Sequence, residues 1–241
     1  MKKAIFYYFP YAGASAMSFK NMHGYFSDDV QTVCVEYSGH GKRIESPYPV
    51  SINDIATDAF KTITATDNEV PVYLGGHCLG AIVAYELCLL FKKAGISAPA
   101  KLFISGQGAP DKIISEKLQT MNEEELLQYL AERNLIDSNM LDPRFRSFVR
   151  DLIQKPIIND SIIYDNYVCS KNEKISTSIE LLYGEDDSRY PIEDMIRWKE
   201  FTDGNIETHS FHGGHYFIRT YEKDYFEMIN NIIGKDIGRT L

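Results

Sequence analysis

Cysteine is scarce in this chain, and what there is stands in no bridging or metal-binding pattern. Cys34, Cys78, Cys88 and Cys169 are irregularly spaced among 241 residues, and none forms a CxxC pair. That excludes a disulfide framework and reads as reduced thiols in a cytosolic protein. Basic charge is also short. The chain has 25 Lys and Arg against 34 Asp and Glu, a formal charge of −9, with no Lys/Arg run. Phosphate recognition needs a basic face, so nucleic acid is not an expected partner. Long apolar runs are missing too. The longest, Leu79–Phe91, is broken by Glu86 and falls short of the ~20 residues a membrane span requires. The N-terminus imitates a secretion signal, with Lys2 and Lys3 before an apolar stretch and Ala14-Ser15-Ala16 as a small-residue site. However, Pro10 and three tyrosines between Ala4 and Tyr11 suit a buried strand instead. No targeting or membrane segment is expected, and the cytoplasm is the default setting.

What remains is an ordinary globular composition, 44% hydrophobic and 24% charged. The length fits one domain with a decoration and supports a core that needs no disulfide or metal staple. There is no internal repeat, low-complexity tract or Gly/Ser linker.

Short apolar runs alternate with helical patterns. Ala4–Phe9, Thr32–Tyr37, Val70–Leu74, Lys101–Ser105, Ser178–Tyr183 and Asn205–Phe211 read as strands, several almost continuously hydrophobic, as in a parallel sheet covered by helices. Ile52, Ile55, Ala56, Ala59, Phe60 and Ile63 follow helical spacing behind a Ser51 N-cap, with Asp54 three residues on. Leu79–Phe91 reads as a helix packed deep against the sheet. Pro191 opens a helix carrying Trp198, and a last helix runs from about Phe217 to Ile233. This alternation predicts an α/β fold with right-handed crossovers. From about 110 to 170 the rhythm breaks into helical patterns alone: Asn122 with Glu125, then Pro143–Gln154 and Ile157–Val168. Helices inserted there sit above the carboxyl edge of the sheet, where ligands bind, and are expected to form a lid.

The sharpest motif is Gly75-Gly76-His77-Cys78-Leu79-Gly80, between a predicted strand and a predicted helix. It is a G-x-nucleophile-x-G elbow with cysteine at the nucleophile position. Gly76 and Gly80 let strand and helix approach, with His77 between them. Cys78 lies at the positive end of the helix dipole, which favours a thiolate. The backbone N–H of Leu79 is aimed at the oxygen of a tetrahedral intermediate. An elbow of this kind is followed along the chain by an acid and then a histidine. Gly184-Glu185-Asp186-Asp187 ends a strand in an acidic turn, with Asp187 the chosen acid and Asp186 the fallback. Gly213-Gly214-His215 precedes the final helix, so His215 is the expected base.

Other readings of these residues are weaker. His209, His212 and His215 are three apart, but the first lies in an alternating strand and Gly213-Gly214 prevents a helix from aligning them, so no metal is expected. Gly184–Ser188 imitates a phosphopantetheine attachment site but ends a strand instead of opening a helix. Gly39-His40-Gly41 lacks phosphate-loop spacing.

With those residues in place, the chain resembles the type II thioesterases of non-ribosomal peptide and polyketide assembly lines, which are α/β-hydrolases. The similarity runs through Phe9-Pro10-Tyr11-Ala12-Gly13-Ala14, Tyr37-Ser38-Gly39-His40-Gly41-Lys42-Arg43, the elbow, Gly184–Asp187, the Trp198 helix and Phe211–Phe217. The stretch Arg144–Tyr164 resembles the family's lid sequence. The resemblance implies that Ala12 supplies the second oxyanion amide. It also implies a substrate of acyl or aminoacyl groups held as thioesters on the phosphopantetheine arm of carrier domains, with no cofactor of the enzyme's own. Most members of that family carry serine where this chain has Cys78. A cysteine keeps the loaded acyl group at thioester energy, which also suits an acyltransferase passing it to a second carrier or an amine. Dienelactone hydrolases resemble the chain at the cysteine elbow alone. A non-catalytic carrier-binding partner is the rival from outside enzymology, and the elbow, acid and histidine together argue against it.

Overall fold

All six expected strands form in the computed structural model, which describes residues 2–65, 69–170 and 173–238. They are β1 (Ala4–Phe9), β2 (Val30–Cys34), β3 (Val72–His77), β4 (Lys101–Ser105), β5 (Ser178–Gly184) and β6 (Ile206–Phe211). Every neighbouring pair is parallel, in the order β2-β1-β3-β4-β5-β6. Each residue of β1 is buried. Successive side chains of a strand face opposite sides, so both faces of the sheet are covered there. From β1 the chain goes outward to the β2 edge, then returns past β1 to β3 and continues in one direction. The reversal places the carboxyl ends of β1 and β3 side by side, the point at which open α/β sheets bind ligands.

Two strands differ from their predicted limits. β2 begins and ends earlier than expected, because after Val35, whose N–H still reaches the Tyr8 carbonyl at 2.8 Å, the chain leaves the sheet. Tyr37 there donates its hydroxyl to the Pro10 carbonyl at 2.8 Å. β3 starts after Pro71, which has no N–H to give to a ladder, and runs on through Gly75 and Gly76 to His77. Those glycines are a packing requirement, since a Cβ on Gly75 would stand 2.8 Å from the Phe6 ring.

Helix α1 (Ile52–Thr64) starts at Ser51, whose Oγ accepts the Asp54 N–H at 3.1 Å. Helix α2 (Leu79–Lys93) is buried almost throughout. Between β4 and β5 lie α3 (Glu123–Glu132), closed by an Asn122/Glu125 capping box, then α4 (Arg146–Val149) and α5 (Lys155–Asp165). Where two separate helical patterns were predicted, α4 and α5 are joined through a π-helical turn, Arg150–Gln154. Pro156 just beyond it lacks the amide that a regular ladder needs, and a widened turn accommodates the gap. α5 ends at Asp165, not Val168. These helices bury a small cluster of their own, including Leu126, Leu130, Val149 and Ile157, which meets the main core at Ala12 and Leu135.

The Trp198 segment is a single turn, α6 (Ile192–Met195), followed by a 3-10 stretch that holds Trp198. The last helix is split at Tyr221 into α7 (Phe217–Thr220) and α8 (Glu222–Asp236). Among the described residues, no helix is long and apolar enough to cross a membrane.

Candidate active site

Cys78 sits between the end of β3 and the first residue of α2 with φ 52° and ψ −119°. A positive φ is uncommon for a non-glycine residue and stores about 1–3 kcal/mol of strain that the surroundings must hold. The Cys78 N–H donates to Ser105 O at 2.9 Å, pinning the turn to the end of β4. Gly76 and Gly80 make the turn sterically feasible. A Cβ on Gly76 would overlap the Gly80 carbonyl, and one on Gly80 would overlap the carbonyl oxygen of Phe9 at the end of β1. His77 is fully buried. Its Nδ1 lies 2.8 Å from Ser105 Oγ, and its ring is 5.1 Å from that of His215.

The acid and the histidine come from the next two strand ends. Asp187 follows β5 in a turn closed by its N–H on Gly184 O at 3.1 Å, and His215 follows β6. His215 Nδ1 lies 2.9 Å from Asp187 Oδ2. The other carboxylate oxygen, Oδ1, accepts the N–H groups of Arg189 at 2.9 Å and Tyr190 at 3.1 Å. Asp186, the fallback, is exposed, and its backbone N–H donates to Gly213 O at 3.0 Å. The three histidines of the stretch turn to three different carboxylates, His209 to Glu180, His212 to Glu185 and His215 to Asp187, and do not converge.

Burial would raise the thiol pKa of Cys78, but the Arg189 charge, the hydrogen bond and charge of His215 and the Leu79 N–H together hold it below the ordinary thiol range. Burial likewise opposes charge on His215. Its bond to Asp187 and its contact with Cys78 outweigh that, and push it up to about 9. Asp187 is pulled below the usual carboxylate range, since His215 and the two backbone donors overcome its burial. His77 goes the other way: burial and the neighbouring His215 and Arg189 charges keep it neutral. Cys78 and His215 therefore favour a thiolate–imidazolium pair beside a helix N-terminus.

Ala12 lies at the carboxyl end of β1, in a turn closed by Ala14 N–H on Tyr11 O at 3.0 Å, with Gly13 at φ +75°. Leu79 is the first residue of α2. Leu79 is thus part of the elbow, and the Ala12 turn follows a segment that adjoins it, with the Phe9 and Pro10 carbonyls against Gly80 and the Tyr11 ring 5.9 Å from that of His77.

Several residues around Cys78 escaped the sequence reading. Arg189 is largely buried, donating from Nη1 to Glu116 and from Nη2 to Ile114 O, both at 2.7 Å. Its guanidinium lies 5.6 Å from the Tyr164 ring centre and 5.5 Å from that of Tyr190. Tyr164 donates its hydroxyl to Gln107 Oε1 at 2.6 Å and lies 2.7 Å from the Tyr190 hydroxyl. Nothing in the sequence signals these roles, because an Arg after an acidic turn reads as a solvated loop residue.

The thioesterase-domain family matches residues 4–235 of the chain. This chain belongs to that family. Among relatives of this thioesterase, thioesterase TesA of Mycobacterium marinum is 30% identical over 228 residues, covering 94% of this chain and 88% of TesA. Among solved structures, ClbQ from the colibactin NRPS/PKS pathway superposes with a TM-score of 0.85 at 24% identity, covering 97% of this chain and 98% of ClbQ. The type II thioesterase BorB from the borrelidin biosynthetic cluster gives a TM-score of 0.83 at 25% identity, covering 97% of this chain and 92% of BorB. The sheet is that of the α/β-hydrolase thioesterases, and the chain is an enzyme acting on thioesters.

Proposed function

We propose that this thioesterase hydrolyses acyl or aminoacyl thioesters carried on the phosphopantetheine arm of assembly-line carrier domains, through Cys78, His215 and Asp187. The carrying observation is His215, tied by Nδ1 to Asp187 at 2.9 Å, with its Nε2 buried and free of any hydrogen bond among the described residues and with Cys78 among the neighbours that raise its pKa. The segment from about 110 to 170 is assigned as a lid on a single α/β-hydrolase domain. The names of TesA and BorB support the thioesterase reading, and the pathways named for ClbQ and BorB support the assembly-line setting.

The Cys78 thiolate attacks the thioester carbonyl carbon, and the oxygen takes the electron pair, accepting the N–H groups of Leu79 and Ala12. The intermediate collapses by breaking the bond to the pantetheine sulfur, which leaves with the proton of the His215 imidazolium. The acyl group is now on Cys78 and the thiolate is gone. With it go the contributions from Cys78 that raise the His215 pKa, leaving Asp187 against burial and Arg189. The imidazole is thereby freed to take a proton from water, whose oxygen attacks the acyl-enzyme. Cys78 leaves as thiolate and the free acid departs. No cofactor is needed for any of these steps.

A second reading, acyl transfer, draws on the cysteine itself. A Cys78 acyl-enzyme is a thioester, so the acyl group can pass to another thiol without an energetic climb. One experiment addresses both readings: incubation with acyl-loaded carrier domains, following the intact mass of each protein and the free acid released. An adduct on Cys78, free acid as product, loss of both in Cys78→Ala and substantial hydrolysis retained in Cys78→Ser are expected. Rapid movement of acyl groups between carriers with little free acid, abolished in Cys78→Ser, identifies a transferase instead.

A further inference from the structure

Helix α5 contributes a buried acid for which the reaction above has no use. Asp160 is fully buried, and its Oδ2 accepts two hydrogen bonds, from the Gly13 backbone N–H at 2.7 Å and from His40 Nε2 at 2.9 Å. The other ring nitrogen of His40 lies 3.0 Å from the Ser38 carbonyl oxygen. A carbonyl can only accept, so Nδ1 donates to Ser38; where Asp160 is a carboxylate, Nε2 donates to it as well and His40 is an imidazolium. Asp160 outweighs the burial that opposes this charge. The Gly13 N–H is therefore held by a charge-assisted bond to a carboxylate that is itself fixed from the far side.

A second contact from the same helix face reinforces it. Ile157 stands three residues before Asp160, so the two side chains project together. A Cβ on Gly13 would come within 2.6 Å of Ile157 Cβ, so α5 packs directly onto the Gly13 backbone. In the turn Tyr11–Ala14, the Ala14 N–H is taken by Tyr11 O and the Gly13 N–H by Asp160. Among the described residues the Ala12 N–H has no partner, which leaves it for the substrate. At the other end of the loop, Tyr37 holds the Pro10 carbonyl at 2.8 Å.

We propose that Asp160, braced by His40, is a positioning residue for the oxyanion loop: α5 grips Gly13 so that the Ala12 amide stays aimed at the thioester oxygen. The hole is then complete only when the inserted helices are seated on the loop. This rests on the reading above, in which Cys78 is acylated and Ala12 supplies an oxyanion amide.

The test compares two reactions of Cys78 in wild type, Asp160→Ala and Asp160→Asn. Single-turnover acylation by an acyl-pantetheine thioester builds an oxyanion, whereas alkylation by iodoacetamide displaces iodide and builds none. Loss of one oxyanion donor slows acylation by on the order of 10²-fold or more. That loss is expected for Asp160→Ala, with a smaller one for Asp160→Asn, which retains a neutral acceptor. Steady-state turnover should fall in kcat with KM nearly unchanged, and alkylation should stay at the wild-type rate in both variants. An equal fall in acylation and alkylation overturns the proposal, since it makes Asp160 a general support of the cysteine site. Undiminished acylation overturns it as well. If Asp160→Ala does not fold, the isosteric Asp160→Asn decides alone, and wild-type acylation by that variant is disproof. Wild-type protein that is alkylated at Cys78 but never acylated there refutes the functional reading, and is recognised before any variant is made.

Discussion

Gly80 and Phe9 are in such close approach that no side chain fits between them: a Cβ on Gly80 would overlap the Phe9 carbonyl oxygen. This contact joins the first turn of α2 to the end of β1, and so joins the Cys78 turn to the loop that carries Ala12. The two halves of the site are separated by about seventy residues in sequence, and a glycine keeps them in register.

Gly80→Ala should therefore damage both stability and chemistry. Overpacking costs typically 1–3 kcal/mol, and the upper end applies because the obstacle is backbone. For a chain of this size that corresponds to a fall of about 6–12 °C in Tm. Activity should fall further than the folded fraction does, because the elbow and the Ala12 loop are pushed apart. A thermal melt and a thioester assay below the transition check this, and an unchanged Tm would contradict the packing.

The acid assignment turns on two adjacent residues. Asp187→Asn keeps an oxygen for the Arg189 and Tyr190 amides but removes the charge that supports the His215 imidazolium, and turnover should fall by on the order of 10²-fold. The loss is expected to be smaller than for a serine enzyme, because a thiol is more easily deprotonated than a hydroxyl. Asp186→Asn, on an exposed side chain, should stay within about twofold, as surface changes away from functional features generally do. Steady-state kinetics of the two variants decide it, and the reverse ranking moves the acid by one residue.

The titration shifts fix the pH dependence of acylation. Cys78 is held below the ordinary thiol range and His215 is raised to about 9, so the thiolate–imidazolium pair occupies the window between them. Acylation should rise as the thiol ionises and fall as His215 loses its proton near pH 9. Alkylation by iodoacetamide, which needs only the thiolate, should rise on the acid side without the alkaline fall. The stability linkage has a definite sign. The contribution of His215, whose folded pKa is raised, is fully present below its unfolded value and is lost as pH rises through about 9. That of Asp187, whose folded pKa is depressed, is present above its unfolded value and lost as pH falls through the folded one. Thermal melts of wild type and His215→Gln across pH check both limbs: the alkaline limb should be missing from the variant.

The amino-acid sequence by itself determined the parts of this protein that are local. A strand, two glycines, a nucleophile and an apolar helix within twenty residues specify an elbow, because the steric demands at Gly76 and Gly80 arise between near neighbours and the end of one adjoining strand. The alternation of apolar runs and helical spacing likewise specified a parallel sheet, and the chain order of acid and histidine placed Asp187 and His215 at successive strand ends. Boundaries were less legible: β2 left the sheet early once Tyr37 found the Pro10 carbonyl, and Pro156 was absorbed into a continuous helix through a π-turn. The sequence preferred Asp187 and kept Asp186 as a fallback; the tertiary structure adds that Asp187 is buried against His215 while the Asp186 side chain is exposed. Tertiary structure alone brought Arg189 under the tyrosines and set Asp160 against His40 and Gly13, across 120 and 147 positions of sequence. Isolated in sequence, these are charged residues that water would satisfy. The fold removes that water, and each buried charge then has to find its partner wherever the chain has carried it.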